Sequence, residues 1–247
     1  MTVLRRIVRG ARRLPRFTVA SVVIAATVTF IAVYVAGRDP VGVDPSAGDV
    51  VRVGVSQGDS IPAYVAAGRA EVTGLTGDGE VYALVAFTEY LPPDRLAPVL
   101  SGVRITSAFA RVPIKNAQTE IVRLGVQRVP DDVVAGMDAT AVRKDNEAAN
   151  YRKLLETGTD RPDDVRQVYG SGAEVATAEA AAYRRHCSCV YAAVVHAAPA
   201  ALRALADRPE ARVVDPAPEI RRLDRTVFLP PLPDQVSRAE PPADGGG

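Results

Sequence analysis

VYALVAF (Val81–Phe87) reappears downstream as VYAAVVH (Val190–His196), with four of seven positions identical. Each copy reads as a strand and is followed by a proline and, three residues on, a leucine: Pro93 and Leu96, then Pro199 and Leu202. Proline at the first helical position needs no amide partner, so each proline marks a helix start. The first helix, PDRLAPVLSG, ends at Gly102, and the second, PAALRALADR, stops before Pro209. Strand-like segments follow both: VRITSAFARV (Val103–Val112) and ARVVD (Ala211–Asp215). A third correspondence closes each unit, with Thr119–Leu124 ahead of Pro130 and Thr226–Leu229 ahead of Pro233. The same order twice, strand–helix–strand–strand, predicts a duplication. The expected class is α+β, a ferredoxin-like open-faced sandwich with helices laid on one sheet face.

Working outward, VVRVGV (Val50–Val55) alternates and is β-branched, which predicts a strand. Gly58-Asp59-Ser60 then gives a turn with Ser60 as N-cap, ahead of Ile61, Tyr64, Val65, Gly68, Val72 and Leu75 at helical spacing. The fragment VSQGDSIPAY resembles the opening of a LysM motif. Pro62 departs from that pattern and the Asn-rich second half is missing, so turn-and-cap chemistry accounts for the tripeptide. Between the two units, Val133, Val134, Met137 and Ala141 begin a helical face that Tyr151, Leu154 and Leu155 continue. Gly158 and Pro162 break it, and a second helix is expected over Glu174–Arg185. The pair reads as a helical hairpin with solvated charged faces, packed on the sheet or projecting as an arm.

The 247 residues carry a formal net charge of +1, but six arginines (Arg5, Arg6, Arg9, Arg12, Arg13, Arg16) fall in the first sixteen residues, with no acid before Asp39. From Phe17 onward 24 basic residues face 29 acidic ones, a balance that argues against nucleic acid as a partner. Phe17–Gly37 is a run of 21 residues without a charge, which as a helix spans roughly 31 Å, close to the hydrocarbon thickness of a bilayer. Its length exceeds the apolar core of a cleaved secretory signal, and Val35-Ala36-Gly37 is only a fair cleavage site. The arginines fix the leading end in the cytoplasm. The expected organisation is a basic cytoplasmic tail (1–16), a transmembrane helix (17–37), a linker (38–49), a first α+β unit (50–133), a helical insertion (134–185), a second α+β unit (186–236) and a disordered tail (237–247).

Chemistry-bearing motifs are sparse. No HExxH, GxSxG, Walker A or GxGxxG pattern is present. Asp131, Asp132, Asp163 and Asp164 follow prolines and read as first-turn acids that meet a helix dipole. The sharpest cluster is His186-Cys187-Ser188-Cys189. In an extended strand residues i and i+2 lie about 6.6 Å apart, near the limit for a disulfide, so a Cys187–Cys189 bridge needs a bend. Three readings stay open: a local disulfide or quiet thiols, a bridge between two copies, or a soft-metal or redox site formed by His186, Cys187 and Cys189. His196 replaces Phe87 of the first copy and reads as a half-buried histidine. Without tryptophan, and with 5% aromatic residues, stacking platforms for carbohydrate are weakly represented.

The arginine tail with its apolar run, the segment VYALVAFTEYLPPDRL and the preference for arginine over lysine (Lys115, Lys144, Lys153) together resemble single-pass membrane proteins of the high-GC actinobacterial kind. That group has no assigned activity, so the resemblance implies location and not mechanism. The expected protein is a non-enzymatic envelope component without a cofactor, held in the plasma membrane through residues 17–37. Its outward domain would bind another envelope protein or itself. The alternative is an extracytoplasmic thiol-redox or copper-handling protein using the HCSC segment.

Overall fold

The computed structural model describes residues 50–240. The basic tail with its six arginines, the run at 17–37, the linker and residues 241–247 of the tail lie outside the described residues. The elements are β1 (Val51–Gly54), α1 (Ile61–Gly74), β2 (Val81–Leu91), α2 (Pro93–Val99), β3 (Arg104–Ala110) and β4 (Val122–Gly125). Then come α3 (Asp131–Thr157), α4 (Asp163–Arg184), β5 (Val190–Ala197), α5 (Pro199–Ala206), β6 (Ala211–Ala217) and β7 (Thr226–Leu229). Ser60 caps α1, its side chain accepting from the Ala63 N–H at 3.3 Å.

The two related segments lie side by side. β2 and β5 pair antiparallel, Leu84 opposite Val194 and Val85 opposite Ala193, so equivalent positions of the two copies exchange partners about a local twofold. β3 then pairs with β5 and β6 with β2, giving one five-stranded antiparallel sheet in the order β4-β3-β5-β2-β6. Period-two alternation sends Val85, Phe87, Ala193 and Val195 to one face, under Leu96 of α2, Leu202 of α5 and Met137 of α3. Leu84, Tyr191 and Val194 point to the other face, against Val53 of β1, Phe228 of β7 and Leu232.

The expected fold class is corrected in three respects. First, no helix among the described residues is long and apolar enough to cross a membrane. Second, the duplicated ferredoxin-like unit fails at its last strand. β4 extends the main sheet beyond β3, whereas β7 leaves it and pairs in parallel with β1 as a separate two-stranded sheet. Third, that small sheet covers the second face, so the sandwich is not open. The cause is visible in β6, whose outer edge is occupied by α1. A Cβ on Gly68 would sit 2.6 Å from a Val213 methyl and 3.0 Å from the Val214 carbonyl oxygen, so helix and strand approach too closely for another strand to enter.

The helical segment forms a hairpin, and its second helix starts at Asp163 rather than Glu174, because Pro162 is followed by two first-turn acids. The half nearest the sheet is anchored by Val133, Met137, Ala141, Ala182 and Tyr183. Ala148 and Ala173 are the last buried residues of the two helices, which project beyond them as an arm of two to three turns.

Gly68→Val should destabilise the protein by about 2 kcal/mol in urea denaturation, through overpacking at β6. Gly74→Ala, at the open end of the same helix where a Cβ meets nothing within 4 Å, should be close to neutral.

Candidate functional site

The HCSC segment is set by the end of α4. His186 adopts φ +50°, its N–H donating to the Tyr183 carbonyl at 2.9 Å while the Cys187 N–H reaches the Ala182 carbonyl at 3.2 Å. This is the doubled C-terminal cap that usually employs glycine. The bend brings the Cα atoms of Cys187 and Cys189 to 5.3 Å, and the two are joined as a disulfide. Cys189 is fully buried; its N–H donates to Leu91 at 3.2 Å and its carbonyl accepts from Arg111 at 2.9 Å, which fastens the start of β5 between β2 and β3. His186 Nε2 lies 2.9 Å from Asp138 Oδ1 on α3. With both sulfurs in the disulfide, neither is a thiolate able to ligate a soft metal. Among the described residues no group of three or more His, Cys, Asp or Glu side chains is placed to hold a metal ion. His196 packs on Tyr82, ring centroids 4.3 Å apart, with Nδ1 3.1 Å from Glu80 Oε2.

Asp131, Asp163 and Asp164 occupy first turns, as expected. Asp132 does more. Its Oδ2 accepts the N–H groups of Gln127 and Arg128, both at 2.8 Å, and these bonds hold its carboxyl below the usual range.

The helical charges are not all solvated. Lys144 and Glu179 have side chains only 4% and 2% exposed. The Lys144 ammonium lies 2.9 Å from carboxylate oxygens of Glu120, Glu147 and Glu179. Glu179 also accepts the Glu120 N–H at 3.0 Å, and Arg143 reaches Glu120 at 2.7 Å. Burial opposes the charge on Lys144, but the hydrogen bonds it donates to three carboxylates hold its pKa above the ordinary lysine value. The cluster braces the base of the arm against the chain entering β4.

A cleft of about 750 Å³ lies between β1, α1 and β6. There the Tyr64 hydroxyl donates to Asp215 Oδ2 at 2.8 Å. Burial, helped by the nearby Glu71, pushes the Asp215 carboxyl up to about 6 despite the Tyr64 hydrogen bond.

The other end of the sheet is open. β4 pairs on one side with β3, and the Val126 N–H donates to the Thr106 carbonyl at 3.2 Å. Antiparallel alternation therefore turns the backbone groups of Val122, Leu124 and Val126 toward β3, and those of Arg123 and Gly125 outward. Both of these residues are exposed. Beside this edge runs a groove of about 680 Å³ whose far wall is Gly136, Ala139, Thr140 and Arg143 of α3. On the opposite sheet face, Ile121 borders a smaller apolar cavity of about 240 Å³ with Phe109, Tyr191, Phe228 and Leu229. The sequence reading assigned none of these residues a site. Edge position is set by the long-range order of the strands, and no local pattern carries that information.

No protein-family model matches this chain, no curated protein matches it, and no solved structure matches its fold.

Lys144→Met should cost about 3–5 kcal/mol in chemical denaturation, because it strands a buried carboxylate, and adding Glu179→Gln should recover part of the loss. Asp215 contributes in the opposite sense. Its folded pKa lies above the ordinary carboxylate value, so its contribution to stability grows as pH falls through about 6 toward 4. Asp215→Asn should therefore be more stable than the parent by about 1 kcal/mol at pH 7.5, with the gain gone at pH 4.

Proposed function

We propose that this protein is an interaction module of the cell envelope, anchored in the plasma membrane through the uncharged run at residues 17–37, with a binding role rather than a catalytic one. The observation that carries the reading is the free edge of β4 beside α3. An exposed edge strand offers unpaired N–H and C=O groups, and an extended segment of another protein can satisfy them as an added strand. Main-chain bonds give such a contact affinity, and the cavities on either face of the edge receive alternate side chains. The bracing of Glu120 by Lys144 and Arg143 holds this edge in place before any partner arrives. The outward location rests on the arginines ahead of the run, and the mildly acidic remainder of the chain favours protein over nucleic acid as the partner.

In membranes of cells producing the full chain, a photo-crosslinking residue at position 123 should form an adduct with a second envelope protein. Gly125→Pro removes an outward N–H from a position with open space and should abolish the adduct without lowering the melting temperature. No adduct, or an adduct with a second copy of this chain alone, contradicts the reading.

A further inference from the structure

Arg123 is the one side chain on the outer strand whose chemistry is incomplete. Its guanidinium carbon lies 5.3 Å from the Phe228 ring centroid and 5.8 Å from that of Phe109, and Nε donates to Ser107 Oγ at 3.2 Å. Among the described residues no carboxylate is placed within ion-pair distance of it. Partial burial against the two rings lowers its pKa from the ordinary arginine value, while the residue as a whole stays exposed to solvent. Arg143 and Arg184, by contrast, are paired with carboxylates, those of Glu120 and Asp145.

We infer that the segment received by β4 carries an acidic residue directly opposite Arg123, flanked on both sides by residues of moderate apolar size that enter the groove against α3. This inference rests on the strand-addition reading. On an added strand the residue facing Arg123 comes within about 5 Å of it, on the same sheet face. Its two neighbours point to the other face, into the groove lined by Ala139 and Thr140 of α3. The same geometry disfavours a second copy as occupant. Antiparallel pairing of two β4 strands, in the register that uses Ile121, Arg123 and Gly125 of both, sets Arg123 against its own equivalent, and like charges directly opposite destabilise a strand pair. Four residues of edge also bury far less area than a stable dimer needs, whereas a peptide is matched to that length.

The test uses the full chain in detergent micelles and two fluorescein-labelled heptapeptides, Val-Thr-Val-Asp-Val-Thr-Val and its counterpart with central Lys, followed by fluorescence anisotropy. The Asp peptide should bind about tenfold more tightly than the Lys peptide at low ionic strength, with the ratio shrinking in salt. Arg123→Glu should reverse the order, and Gly125→Pro should abolish binding of both. Equal affinity for the two peptides, with binding still lost in Gly125→Pro, overturns the charge readout and leaves strand addition standing. Failure of both peptides to bind the parent protein overturns both.

Discussion

The antiparallel pairing of β2 with β5 decides the rest of the molecule. Two segments of related sequence sit at the centre of the sheet, each buried on both faces, with Leu84 opposite Val194 and Val85 opposite Ala193. Once they pair, each copy's second strand can only reach the outer side of the other copy's first, which puts β6 at one margin and β3 toward the other. From that point the symmetry is broken by small things. A glycine at position 68 lets α1 close on β6, so the strand that would have extended that margin turns away as β7 and pairs with β1 over the second face. The other margin has no such helix. β4 is added there, and its far side stays open.

Much of the buried polar chemistry serves to hold that open margin still. Glu120 stands two residues before β4, and it is tied by its backbone to Glu179 and by its side chain to Arg143 and Lys144. These residues lie on both helices of the arm, so the arm's base and the entry to the edge strand form one unit. Burying a lysine among three carboxylates is a poor way to gain stability compared with apolar packing. It does fix geometry, since the ammonium is satisfied only when all three acids are in place. At the centre of the sheet, the disulfide and the His186 cap do comparable work for the start of β5, and at the opposite margin Asp215 carries a burial cost relieved at low pH.

How much of this was legible in the chain depends on the range of the interaction. The prolines at 93 and 199, the Ser60 cap, the alternation of the central strands and the breaks at Gly158 and Pro162 are local, and each element they announce is present. The bend that lets Cys187 meet Cys189 was required by strand geometry, but its source, a histidine in the left-handed region, has no sequence signature beyond the end of a helix. The error about the last strand of each unit has a physical origin. Thr119–Leu124 and Thr226–Leu229 look equivalent in sequence, yet which sheet each joins is set by α1 and β1, which lie outside the repeat. Lys144 and Glu179 were read as solvated because helical periodicity places charges on a face without saying what that face meets. Arg123 and Gly125 gave no signal, since an edge is defined by the absence of a neighbour.

The central claim is that β4 presents an unpaired edge, and amide hydrogen exchange of the full chain, followed by NMR in detergent, tests it most directly. With only β3 beside the strand, the amides of Leu124 and Val126 should be strongly protected while those of Arg123 and Gly125 exchange at rates close to those of exposed backbone. Equal protection at all four positions in the free protein would mean that the edge is already occupied, and the account would be wrong.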